Sequence, residues 1–315
     1  SEIVFYAAIP SVHIDLFAKQ IHAVFPDAKL EEAPDDYNIF NDDGASVGAY
    51  ATPSRSPVFP LKTYDEFDHD PLNVILNVFT RIAEKGEGAV IQIVIAPAGD
   101  YFVKRYGYAL EEIRKGVSVK HAVNIPESFG GEITKTVGEM FFGASFVKKK
   151  NDPSVSERPV DDEAIEQIKK KTSSTILNTN IRVIASAKTT DRARAILGDL
   201  ESAFHQFGNT QGNSIKFHEE KGRSLLALFK EFSYRAWNDA ESFPLNLAEL
   251  TTILHFPVKE TSSPILKSAK AGSAPAPLHT AKDGIMLGVN RYQGNETVVR
   301  MGREDRVRHF YVIGQ

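Results

Sequence analysis

Residues 70–96, DPLNVILNVFTRIAEKGEGAVIQIVIA, carry the reading on which the fold turns. Asp70 followed by Pro71 marks a helix start: a capping side chain, then a residue whose fixed φ and missing N–H suit the first helical position. Leu72, Ile75, Leu76, Phe79, Ile82 and Ala83 then recur at helical spacing and draw one apolar face to about residue 84. Gly86 and Gly88 end it, and Ala89 to Ala96 is a continuous, mostly β-branched run that reads as a buried strand. A helix that hands the chain straight to such a strand is half of a βαβ unit, so the neighbouring segments decide the rest.

Upstream, IVFYAAI at residues 3–9 reads as a buried strand bounded by Pro10. Ser11 is a candidate cap for a helix over roughly 12–25, where Val12, Leu16, Phe17, Ile21, Val24 and Phe25 keep helical spacing. Strand candidates near 28–33 and 45–52 flank the turn-rich Asn41-Asp42-Asp43-Gly44. The order βαββαβ over residues 1–99 predicts a first ferredoxin-like unit. Residues 100–175 read as a less regular insertion and linker. Within it Tyr101 to Arg114 is helical, Ser128-Phe129-Gly130-Gly131 is a break, and Lys148 to Pro159 is exposed. A charged helix over 161–171 closes the stretch on Lys169-Lys170-Lys171, a run more often a solvated helix end facing the dipole than a phosphate patch.

Residues 176–257 repeat the order. Ile181 to Ala187 is a strand, Thr189 or Thr190 caps, and Ala193, Ile196, Leu197, Leu200, Phe204 and Phe207 make an amphipathic helix closed by Gly208. A strand at Ser214 to Glu219, a helix at Arg223 to Lys230 and a strand at Phe232 to Trp237 follow. Asn246 with Glu249 three residues on is a capping-box start for a helix that Pro257 stops. With a strand at 285–291, this segment predicts a second ferredoxin-like unit, duplicated in element order and not in residues. Residues 258–283, rich in Ser, Ala, Pro and Lys, read as an extended connector, and 284–315 as a β segment. The fold class expected is α+β.

At 315 residues the chain has room for about two domains. A net charge of −4 argues against a surface built as a whole for nucleic acid. With no cysteine, a disulfide scaffold, a cysteine nucleophile and a thiolate metal site are excluded. No run reaches the ~18–20 apolar residues of a membrane helix. The chain begins with Ser1, so its natural start is expected upstream.

Among the chemical constellations, Asp65-Glu66-Phe67-Asp68-His69-Asp70 is the most metal-like, yet sequence neighbours rarely converge on one ion, and an acidic helix approach is the commoner meaning. His13 and His22 lack a zinc spacing, and His205 and His218 stand alone. No G-x-S-x-G elbow occurs. Ile3-Val4-Phe5-Tyr6 carries aromatics without the glycine and basic residues of a base-stacking strand. Nothing assembles a nucleophile, base and oxyanion site.

The last stretch, VVRMGREDRVRHFYVIGQ at 298–315, runs an arginine-rich approach into the apolar Phe310-Tyr311-Val312-Ile313 and then Gly314-Gln315. An apolar strand that meets a glycine is how a phosphate loop, G-x-x-x-x-G-K-[ST], begins. Here Gly314 and Gln315 are only its start, without the lysine and hydroxyl. Gly284 to Asn290, the strand Thr297 to Arg300, and Asp305-Arg306-x-Arg308-His309 with the apolar run resemble the approach to the motor domain of bacterial conjugation and type IV secretion ATPases of the HerA–FtsK superfamily. The resemblance extends to Asn246-x-x-Glu249-Leu250, His255-Phe256-Pro257, Asp36 to Phe40, Leu61 to Tyr64, Asp70 to Asn73 and Gly88 to Ile95.

The resemblance implies the pre-motor region of such a protein, leading toward a RecA-like ATPase core that lies beyond Gln315. That region would be non-catalytic. It would serve docking and assembly at the secretion channel, with ATP and magnesium belonging to the whole protein. The implied partners are secretion-channel proteins and neighbouring protomers. The implied location is the cytoplasmic face of the inner membrane, with membrane contact through segments outside this chain. Arg303, Arg306 and Arg308 interleave with Glu304 and Asp305, a pattern usual in a salt-bridged turn. As guanidiniums they also suit nucleotide phosphate or a protomer's carboxylate. A DNA-contacting module of the same machinery is the alternative, and a free-standing hydrolase has no supporting constellation.

Overall fold

Five strands alternate with helices between Ala45 and Asn246 in the computed structural model, which describes residues 3–26, 28–33, 38–41, 43–82, 86–123, 161–257, 276, 281–292 and 295–307. The strands are β1 (Ala45–Pro53), β2 (Gly88–Pro97), β3 (Ile176–Ala187), β4 (Ile215–Glu219) and β5 (Phe243–Asn246). Among the described residues the α-helices are α1 (Ile14–Val24), α2 (Leu72–Thr80), α3 (Tyr101–Arg114), α4 (Val119–Val123), α5 (Asp162–Lys171), α6 (Thr190–Ala203), α7 (Gly222–Ser233) and α8 (Leu247–Ile253). The fold is α+β with antiparallel sheets. Two compact units divide it: residues 38–265 form one, and residues 2–37 with 266–315 the other.

In the larger unit the sheet runs β2-β3-β1-β4, every pair antiparallel, and β5 joins β3 along Ile176 to Thr179 where β1 has ended. Strand β3 organises it because its side chains alternate between two buried faces. Ile181, Val183, Ala185 and Ala187 meet α2 and α6 through Ile75, Ala193, Ile196, Leu197 and Leu200. Each fully buried Ile, Val or Leu of this row contributes about 1.5–3 kcal/mol, and each alanine less. Arg182, Ile184 and Ser186 face the other way, toward α7. That helix comes close because β1 has a glycine beneath it: a Cβ at Gly48 would sit 2.8 Å from the Leu228 side chain. Between β2 and β3 the chain makes α3, α4 and α5, which bury Phe102, Tyr106, Ile113, Ala122, Ile165 and Ile168 together with Phe59 in a core of their own.

This arrangement corrects the division expected from sequence. The strands assigned to two ferredoxin-like units, 45–52 and 89–96 in one and 181–187 and 214–219 in the other, lie in a single sheet. Element order alone does not say which strands pair. Residues 3–9 and 28–33 are not strands, apart from an isolated bridge at Ile3, and Val4 and Tyr6 are about half exposed. An apolar run becomes a strand only where a neighbour supplies its hydrogen bonds. Residues 232–237 are not a strand either: α7 runs on to Ser233, burying Leu228 and Phe232 four residues apart, and the strand comes later as β5.

The smaller unit holds α1 and a hairpin of β6 (Ile285–Tyr292) and β7 (Asn295–Met301), so the strand expected at 285–291 pairs with β7 and not with a second ferredoxin-like sheet. Asp305–Val307 makes a short 3-10 turn after it. The linker at 148–159, the break at 128–131, most of the connector at 258–283 and the apolar run at 310–313 lie outside the described residues. Among the described residues no helix is long and apolar enough to cross a membrane.

Candidate functional site

A concavity of the larger unit opens where the inserted helices meet the loops of the sheet. Helix α3 presents Phe102, Tyr106, Ala109 and Ile113 at spacings of three and four, and this row packs on Ala164, Ile165 and Ile168 of α5. Asp161 starts α5 by accepting the Ala164 N–H at 3.0 Å. On the opposite side, Asn213 fastens two loops: its carbonyl oxygen accepts from the Arg55 N–H at 2.9 Å, and its amide donates to Ser56 O at 2.9 Å. These elements bound a cleft of about 690 Å³.

Three cations line the cleft: Arg55, Arg105 and Lys120. Arg55 is held in place, its Nη1 donating to Gln211 O at 3.3 Å and Gly212 O at 2.9 Å, with the guanidinium 4.9 Å from the Phe59 ring centre. Arg105 lies against Tyr101, donating to its hydroxyl at 3.1 Å. Tyr106 reaches the same cleft with only 4% of its surface exposed, and its hydroxyl has no hydrogen-bond partner among the described residues. A buried hydroxyl left so costs about 1–3 kcal/mol. Burial pushes its pKa above the ordinary tyrosine range, so it stays a protonated donor.

Behind the cleft the lysine run at the end of α5 divides. Lys169 is exposed, Lys170 pairs with Glu66, and Lys171 is buried. The Lys171 ammonium donates to Glu249 Oε1 at 3.0 Å, Glu249 Oε2 at 2.8 Å and Pro244 O at 2.8 Å. Burial draws its pKa down while the Glu249 charge opposes the fall. Glu249 also accepts the Leu61 N–H and the Asn246 N–H, each at 2.7 Å, and so completes the capping box expected of Asn246. One of the three lysines is thus a core ion pair, which the reading of a solvated helix end missed; the signal was the buried stripe Ile165, Ile168, Lys171 at spacing three.

A second buried cation, Arg182, lies between the sheet and α7. It donates to Glu231 Oε2 at 3.0 Å and Gln92 Oε1 at 3.2 Å, and its Nε stands 3.6 Å from Glu241 Oε2. Burial, then the charge of Glu231, raises the Glu241 pKa against the pull of Arg182.

The residues singled out from sequence fall elsewhere. Arg303 and Arg306 are exposed in and beside the 3-10 turn of the smaller unit and make no ion pair with a described residue, where a salt-bridged turn was the commoner meaning. Arg308, Gly314 and Gln315 lie outside the described residues. Within the acidic stretch, Glu66 caps Thr63, while Asp70 accepts the Leu72 N–H at 2.8 Å and pairs with His255 at 3.0 Å. No group of metal-ligating side chains converges among the described residues.

A family model described as Domain of unknown function (DUF8128) matches residues 1–268. No curated protein and no solved structure matches the chain.

Proposed function

The chain belongs to the family described as Domain of unknown function (DUF8128), and from that premise we propose that it is a non-catalytic region preceding the motor core of a conjugation or type IV secretion ATPase, where it docks the motor to channel proteins and neighbouring protomers. The sheet order β2-β3-β1-β4 supports reading one ferredoxin-like unit with α3 to α5 inserted, and β6 and β7 would lead toward the RecA-like core. ATP and magnesium would belong to that core, and the setting would be the cytoplasmic face of the membrane. Arg303, Arg306 and Arg308 would face a nucleotide or a neighbouring protomer.

The observation that carries the docking role is the unequal finish of the two sheet edges. Strand β4 is short and puts Lys216, His218 and Glu219 in solvent, which guards an edge against pairing. Strand β2 is ten residues long, GAVIQIVIAP, has no charged side chain, and pairs on one side only with β3 among the described residues. Ile95 on it is 51% exposed. An open apolar edge of this kind accepts an extended segment as a further strand.

A photoreactive residue at position 95 of the whole motor protein, in cells that assemble the channel, is expected to give adducts with a channel protein or a neighbouring protomer. Ile95→Lys should reduce assembly about tenfold with the fold intact, since a lysine blunts an edge. Wild-type assembly of Ile95→Lys, together with no adducts at 95, would sink the proposal.

The exposed Arg303 and Arg306 favour a second reading, contact with exported DNA. Binding to single- or double-stranded DNA that weakens steeply with salt is expected from it, and no binding at low salt removes it.

A further inference from the structure

We propose that the cleft between α3, α4 and α5 and the loops at 55–59 and 210–211 binds a small organic anion, one that joins a phosphate or carboxylate to an apolar ring. The site is separate from the β2 edge and does not depend on the docking role. Its volume of about 690 Å³ lies within the ~300–1,000 Å³ of small-molecule sites.

Charge gives the sign of the ligand. Arg55 and Lys120 line the cleft and have no carboxylate partner among the described residues. Arg55 is already fixed by two backbone carbonyls and the Phe59 ring, so it loses little freedom when an anion arrives. Of the two carboxylates that reach the cleft, Asp161 is engaged in capping α5, and Glu163 is exposed. With Arg105 the cations outnumber the carboxylates.

The buried polar atom gives the depth. Tyr106 lines the cleft, and its buried hydroxyl is a donor with no partner among the described residues, which an anion oxygen would satisfy. Phe59 and Phe102 supply flat apolar surface beside it, which suits a ring better than an aliphatic chain. A free inorganic anion would leave that surface uncovered, and an uncharged ring would leave Arg55 and Lys120 unanswered.

Isothermal titration calorimetry of the 315-residue protein with 1-naphthyl phosphate, 1-naphthol and inorganic phosphate tests this. 1-Naphthyl phosphate is expected to bind about tenfold or more tightly than either of the others, and Tyr106→Phe and Lys120→Gln should each weaken it by about 5–10-fold, the scale of a charge-assisted hydrogen bond or a close ion contact. Neither variant should lower the melting temperature of the ligand-free protein, because neither removed group has a partner among the described residues; Tyr106→Phe should leave it unchanged or raise it. Four results would overturn the proposal. They are no binding of any of the three at millimolar concentration, equal binding of 1-naphthol and its phosphate, wild-type affinity in both variants, or a lower melting temperature for Tyr106→Phe.

Discussion

Glu249→Ala is expected to remove most of the stability of the larger unit, about 4–6 kcal/mol: about 3–5 for a buried ion pair deprived of one partner and about 1 for a lost helix cap. Glu249 has no exposed surface, and its two oxygens hold three donors at once: the Lys171 ammonium, the Leu61 N–H and the Asn246 N–H. Alanine leaves all three buried without an acceptor and offers no route for water to replace it. Against a total of about 5–15 kcal/mol for a domain, a variant that fails to fold is within range. Urea denaturation followed by circular dichroism measures the loss. Glu249→Gln, which keeps one acceptor oxygen, should fall between the two. A loss below about 1 kcal/mol, the scale of an exposed pair, would mean that the ion pair is not buried as described.

Arg182→Met is expected to cost about 3–5 kcal/mol at neutral pH, because methionine fills the space and leaves two carboxylates facing each other. Glu231 and Glu241 both depend on this guanidinium, the first by a 3.0 Å hydrogen bond and the second by an ion pair at 3.6 Å. The deficit should depend on pH, with a sign set by Glu241. Its folded pKa stands above the ordinary glutamate value, first through burial and then through Glu231. A raised glutamate contributes stability that is present below its unfolded pKa and is lost as pH rises through the folded one. Without Arg182 the rise is larger, so the variant should recover stability relative to wild type as pH falls from neutrality through the glutamate range. Unfolding midpoints measured between pH 7 and pH 4 check this, and a deficit constant across that range would exclude carboxylate repulsion as its cause.

The helices show how far local patterns reach. Asp70-Pro71, Thr189 and the Asn246/Glu249 box each stand at a helix start, and in each the cap side chain accepts a backbone N–H as its chemistry requires. The strands show where such patterns stop. Ala89 to Ala96 is legible as a strand from its β-branched residues, but IVFYAAI at 3–9 carries a similar signal and is not one. The difference is a partner, and the partner of β2 is β3, reached only after the long insertion. Tyr106 and Arg55 were not legible as a pair, being far apart in sequence and in no motif.

The amino-acid sequence by itself determined the α+β class, most helix starts and the placing of most helices and of strands at 45–52, 89–96 and 181–187, because caps and apolar periods act over a few residues. Only the tertiary structure decided that one sheet takes strands from both expected halves, that Lys171 and Arg182 are core ions, and that a cleft with an unanswered hydroxyl opens beside α3. Strand pairing, ion burial and cavity shape all depend on segments brought together from well beyond the reach of a helix turn or a hairpin, and no short-range pattern records which of them meet.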